Sequence, residues 1–215
     1  MPADTYRSYR HLAAIERENR DYVITALRRN APIAILAPHG GGIEPGTSEL
    51  ARAIAGEDYS LYLFEARKSA GNGALHITST HFDEPRCLEI LRHAVTAVTI
   101  HGVDDVDPIV HLGGLDQSLI RRLAAELKSA GFVTSQTDNP AIAGRFDSNI
   151  CNRGTSGLGC QLEISRGLRL AMFRGLGRDD RRYCTPEFDR FVGAVHAALC
   201  FPAERPDALQ FSLET

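Results

Sequence analysis

The sequence predicts an α/β protein, a three-layer α/β/α arrangement around a mixed, mostly parallel central sheet. Three observations carry this. Short apolar, β-branched runs alternate along the chain with segments of helical period. Those runs are continuously apolar, as in strands covered on both faces. Polar or glycine-rich clusters follow several of them, where open α/β sheets gather ligand groups beyond the carboxyl ends of their strands.

The elements follow in order. Amphipathic spacing predicts a helix over 14–29. Pro32–Pro38 (PIAILAP) reads as a buried strand bounded by prolines. The loop HGGGIEPGTS comes next, and Pro45 and Thr47 suit the start of a helix running to Ala55. Tyr59–Glu65 reads as a strand, Leu75–Thr78 as another, and Glu84–His93 as a helix. The close succession over 59–78 implies some antiparallel pairing, hence a mixed sheet. Ala94–His101 (AVTAVTIH) is a buried strand, and Ile109–Leu112 continues the sheet. Ser118–Ala130 is a helix stopped by Gly131. Phe132–Thr134 is a short strand, and the polar stretch 136–159 is long enough to be a functional loop. Gly159–Ser165 (GCQLEIS) is a strand with one inward carboxylate, and Pro186–Leu199 is the last helix.

A length of 215 residues predicts a single domain, 1–215, large enough to hold a core without disulfide or metal support. The formal charge of −3, from 24 basic and 27 acidic residues, argues against a general nucleic-acid binder. Only Lys68 and Lys128 among the basic residues are lysine, and the rest are arginine, the better fork for carboxylates. The five cysteines are odd in number with no C-x-x-C pair, which argues against a disulfide framework and against a zinc ribbon. Residues 1–30 lack the apolar stretch of a signal peptide, and the longest apolar run, Ile33–Ala37, is far short of a membrane span. The expectation is a reduced, cytoplasmic protein with no nucleic-acid or membrane partner.

Chemistry-bearing residues sit at strand ends. His39-Gly-Gly-Gly-Ile-Glu44 lets an imidazole and a carboxylate meet one ion, because glycines allow the backbone to fold tightly between them. His101 ends the strand AVTAVTIH. Glu163 lies inside QLEIS, where an unpaired carboxylate is costly. Two histidines and a carboxylate form the ligand set of several hydrolytic zinc sites, and a further carboxylate off the metal serves as general base. His76, His81 and His111 compete as ligands. His-Gly-Gly-Gly also occurs as an oxyanion motif in esterases, but the G-x-S-x-G nucleophile turn that reading needs is missing.

Taken together, HGGGIEPGTSELARAI, LHITSTHFDEP, TIHG, GGLD and NICNRGTSGLGCQLEIS resemble the poly-γ-glutamate hydrolase family of bacteriophages and bacteria over about 30–170. The resemblance implies a zinc-carboxypeptidase-like fold and a zinc-dependent hydrolase of γ-glutamyl amide bonds. It implies one zinc ion held by His39, Glu44 and His101, with His111 as the alternative third ligand, and Glu163 as the catalytic carboxylate. The spacing H-x-x-x-x-E departs from the H-x-x-E of carboxypeptidases and suits this family. The implied substrate, poly-γ-glutamate or a related γ-glutamyl or acyl-amino-acid compound, carries free carboxylates. Arg153, Asn152 and Arg86 are the expected substrate-binding residues, and the arginines at 166, 169, 174, 178, 181 and 182 the possible extension of a basic track. Two alternatives remain open: a zinc amidohydrolase, deacylase or carboxypeptidase-like enzyme on a small N-acyl amino acid or peptidoglycan fragment, and a non-catalytic phage-related binding protein.

Overall fold

The computed structural model describes residues 4–200. Its centre is one seven-stranded sheet: β1 (Tyr22–Leu27), β2 (Ile33–Gly41), β3 (Ser60–Ala66), β4 (Thr96–Val103), β5 (Val110–Gly114), β6 (Thr134–Gln136) and β7 (Cys160–Ser165). The order across the sheet is β1-β3-β2-β4-β7-β5-β6. β1 runs antiparallel to β3 and β5 antiparallel to β7, and the remaining neighbours are parallel. The sheet is therefore mixed and mostly parallel, as expected. Its antiparallel pairs lie elsewhere than in the 59–78 succession.

Helices cover both faces. Alternation along β2 shows why: Ile35 and Ala37 pack in a core with α2 (Thr47–Ala55), α4 (Gln117–Ser129), α5 (Arg166–Met172) and α6 (Pro186–Leu199). Ala34 and Leu36 point the other way, into a second core with α1 (Tyr9–Ala13) and α3 (Pro85–Leu91). Both sets are fully buried, which explains a continuous apolar run in the sequence.

Two expectations are corrected, and one helix was not foreseen. The helix over 14–29 is instead the short α1, a turn, and β1. Asn19 takes a left-handed φ of 67°, and Asp21 accepts the Arg17 N–H, which closes the turn. The β-branched Val23-Ile24-Thr25 then pairs with β3. The strand at Leu75–Thr78 is a 3-10 turn over Asn72–Leu75 followed by an extended His76, and the segment does not join the sheet. Helix α5 went unread because it begins immediately after β7. Ser165, the last residue of β7, caps it by accepting the Leu168 N–H. Among the described residues, no helix is long and apolar enough to cross a membrane.

Candidate metal centre and its cleft

The site lies where β2, β4 and β7 end. His39 sits at an irregularity in the β2–β3 register between Ala37 and Gly40. The glycines beyond it are sterically required. A Cβ on Gly40 would stand 2.1 Å from Ser48 Oγ, and Gly41 has φ +66° with its Cβ position 2.4 Å from the Ala66 carbonyl oxygen. Only a bare backbone packs this closely against the end of β3, and the turn that follows returns Glu44 to His39. In the parallel register of β4 and β7, His101 stands opposite Glu163, so both project from the same face of the sheet.

Three donors converge. His39 Nδ1 is 3.0 Å from Glu44 Oε1 and 3.1 Å from His101 Nδ1, and His101 Nδ1 is 3.6 Å from Glu44 Oε2. One ligand atom from each residue lies within 4.8 Å of the others. His39 Nε2 donates to the Ile77 carbonyl oxygen at 2.8 Å; a carbonyl can only accept, so Nδ1 keeps its lone pair for the cluster. Two imidazole nitrogens and a carboxylate aimed at one point are the chemistry of a zinc site, and the residues fit that ion.

Electrostatics separate the two acids. Burial pushes the Glu44 carboxyl up, but His39 and His101 outweigh it and hold Glu44 below the usual carboxylate range; the Gly102 N–H also donates to its Oε2 at 2.9 Å. Burial pushes the Glu163 carboxyl up to about 7, against the pull of His101 and with the repulsion of Glu44. Among the described residues its one side-chain donor is Gln161 Nε2, at 2.9 Å from Oε1. Burial lowers the His101 imidazole, but the charges of Glu163 and Glu44 raise it above its ordinary value.

Glu163, His39, Glu44 and His101 line a cavity of about 150 Å³ together with Thr78, Ser79, Thr80, Pro140, Ala141 and Phe146. His76 stacks on His39 with ring centroids 4.0 Å apart, and its Nδ1 bonds Asp4 Oδ1 at 2.7 Å. Asp4 also accepts the Thr78 N–H, which ties the N-terminal segment across the cleft. Arg169 is buried behind the site. Its guanidinium donates to the carbonyls of Ile164, Pro45 and Val103, which clamps the chain beside Glu44, the end of β4 and the end of β7.

The other expected residues lie elsewhere. His111 also stands opposite Glu163, across β5, yet its ring nitrogens bond Ser135 Oγ and Asp105 Oδ2, and it takes no part in the three-donor cluster. His81 does not line the cavity of the cluster. The three expected substrate-binding residues do not line this cavity. Arg86 is held by Glu18 and Glu84. Asn152 is buried, donating to Gly144 and Phe146 carbonyls and accepting the Leu115 N–H, so it braces the 136–159 loop. Arg153 is exposed and contacts the Phe82 carbonyl, outside the cavity of the cluster. Sequence reasoning missed Gln161, Asp4 and the carbonyl clamp of Arg169. Gln161 was within reach, since two residues along a strand share a face.

The α/β/α fold and this donor set define a metal-dependent hydrolase. The sequence profile of the family described as poly-γ-glutamate hydrolase matches residues 6–194, and the chain belongs to that family. Its relatives include YndL of Bacillus subtilis (strain 168), 42% identical over 172 residues, which make up 79% of this chain and 67% of YndL. The SPβ prophage-derived YoqZ of the same organism is 38% identical over 177 residues, 80% of this chain and 63% of YoqZ. The chain thus spans about two thirds of the length of these relatives. Among solved structures, a bacteriophage poly-γ-glutamate hydrolase superposes with a TM-score of 0.89 at 35% identity, covering 92% of this chain and 97% of the other. A zinc-free form of YndL superposes with a TM-score of 0.87 at 38% identity, covering 92% and 98%.

Proposed function

We propose that this chain hydrolyses γ-glutamyl amide bonds of poly-γ-glutamate, using one zinc ion held by His39, Glu44 and His101 and Glu163 as general base. The observation that carries the reading is the convergence of three donors within 4.8 Å beside a buried acid they do not consume. The family and the naming of a zinc-free form of YndL support the substrate class and the metal.

Zinc, when bound, supplies a Lewis acid that polarises an amide carbonyl and lowers the pKa of bound water. The protein's own part follows from geometry. Glu163, near neutrality by virtue of burial, accepts a proton from the attacking water and returns it to the leaving amine. Gln161 orients the Glu163 carboxylate through its N–H. Ile77 fixes the His39 tautomer, and the Gly102 N–H fixes Glu44. Thr78, Ser79 and Thr80 line the same cavity and offer hydroxyl groups to a substrate bound there.

The test is metal content of the purified protein together with product formation from poly-γ-glutamate, with Glu163→Gln as control. About one zinc per chain, hydrolysis abolished by chelation, and an inactive but metal-loaded variant are the expected results. Greater activity on single N-acyl amino acids than on the polymer would overturn the substrate assignment.

A further inference from the structure

Beyond the metal cluster the cleft continues in one direction. A second cavity, about 420 Å³, shares Glu44 and His76 with the first and reaches Arg166, Arg169 and Leu176. A third, about 380 Å³, shares Pro45 and Leu176 with the second and reaches Lys68, Arg178 and Arg181. The three form one groove running outward from the donors. Most of its cations are already engaged. Arg169 is spent on three carbonyls, Arg181 pairs with Glu49 at 2.7 Å, and Lys68 pairs with Glu16 at 2.8 Å. Outside the groove's lining, Arg174 pairs with Asp180 and Arg182 with Asp179. Two guanidinium groups are left. Arg166 is exposed at the first residue of α5 and, among the described residues, pairs with no carboxylate. Arg178 is exposed and, among the described residues, makes one side-chain bond, to the Arg67 carbonyl oxygen. They stand in successive cavities on the same side of the metal cluster.

We infer that this groove binds an anionic polymer with a carboxylate on each unit, Arg166 gripping one carboxylate in the cavity next to the metal cluster and Arg178 gripping another in the cavity beyond. The inference rests on the proposed γ-glutamyl reading and deepens it, since it assigns subsites on one side of the scissile bond. A guanidinium fork matches a carboxylate and acts at the groove rim without burial cost. Asp4 and Asp104 line the second cavity with opposing charge. Asp4 is engaged by hydrogen bonds from the His76 ring and the Thr78 N–H. Asp104 is left as the repulsive neighbour, and it sets the sign of a third variant.

The experiment measures equilibrium binding of fluorescent γ-glutamyl oligomers, short and long, to zinc-loaded Glu163→Gln protein, so that binding is read without turnover. Arg166→Ala weakens binding of short and long oligomers by about three- to tenfold. Arg178→Ala weakens only the long ones, and Asp104→Asn tightens both. Rising salt erodes the advantage of long over short oligomers, less so in the double arginine variant. All three side chains are exposed, so zinc content is unchanged. Arginine variants that bind every length as the parent does overturn the inference, as does an Arg178→Ala defect equal on short and long oligomers. Hydrolysis by the unsubstituted enzyme is assayed separately: its failure removes the proposed reaction, while the binding series still decides the groove.

Discussion

Two glutamates, Glu44 half-buried and Glu163 buried, stand beside His101 and meet opposite fates. Glu44 touches both imidazoles and accepts the Gly102 N–H, so its charge is favoured in the fold. Glu163 is opposite the same His101 in the sheet, but its one side-chain donor is a neutral amide, and burial pushes its carboxyl up to about 7. Side-chain type is the same, and the local supply of positive partners differs. An anion held for a cation and an acid poised to trade a proton are made by placing one carboxylate in the turn after β2 and the other inside β7.

The largest expected effect comes from breaking the Glu44 side. Glu44→Gln removes a charged donor that two histidines depend on, so zinc affinity falls by more than about a hundredfold, beyond what loss of an outer-shell partner costs, and hydrolysis goes with it. Metal titration followed by calorimetry checks this; undiminished zinc binding would show that Glu44 is not a ligand. Glu163→Gln is the contrasting change. It keeps zinc bound while lowering kcat by about 10²–10⁴, the range of a general acid–base contribution. A variant that lost zinc instead would merge the two roles that the structure separates.

What the sequence revealed, and what it hid, follows the same division. Strands β2, β4 and β7 were readable because both faces are buried, which leaves a continuous apolar run, and His39, His101 and Glu163 were readable as the polar residues that interrupt or end such runs. β1 was hidden: it is an edge strand with burial fading toward Leu27, so neither a polar–apolar alternation nor a fully buried run marks it. The arginines were hidden for another reason. A long side chain's direction is decided by partners remote in sequence, as with Arg86 on Glu18, and Arg153 points to Phe82 rather than to the donors. The Asp4–His76 bond, spanning 72 positions, leaves no local signal at all.

Arg169 links the two halves of the comparison, since its three carbonyl acceptors flank Glu44, the end of β4 and the end of β7. Arg169→Met keeps bulk but strands those carbonyls, and the variant is expected to lose about 2–4 kcal/mol of stability and about tenfold in zinc affinity. Gly102 is tied to the same group, because a Cβ there would sit 2.6 Å from Arg169 Cζ. Denaturant unfolding with and without zinc separates the two effects, and an Arg169→Met protein as stable as the parent would show that the carbonyls find other partners.

The metal-free protein carries the comparison into its pH dependence. Glu163 binds its proton more tightly folded than unfolded, so its contribution to stability is fully present below its ordinary value of 4.5 and is lost as pH rises through about 7. Glu44 behaves oppositely: its contribution is present above the ordinary carboxylate range and lost as pH falls through its lowered value. Glu163→Gln should therefore stabilise the chelated protein at pH 8 by about 1–2 kcal/mol and leave it near the parent at pH 5. Thermal melts at the two pH values check this, and equal gains at both would mean that repacking, not charge, is responsible.

The smallest expected effect tests the single bond that holds Glu163. Gln161 Nε2 donates to the carboxylate at 2.9 Å, and Gln161 is itself fixed by the Ile142 carbonyl and by Asn149. A donor to the charged form stabilises that form, so Gln161→Met raises the Glu163 pKa further. The acid limb of kcat/KM then moves to higher pH by about half to one unit, and activity at pH 7 drops a few-fold and recovers in alkali. That recovery distinguishes a tuned base from a damaged loop. A loss of similar size at every pH would assign Gln161 to bracing the 136–159 segment and leave burial alone to set the Glu163 proton affinity.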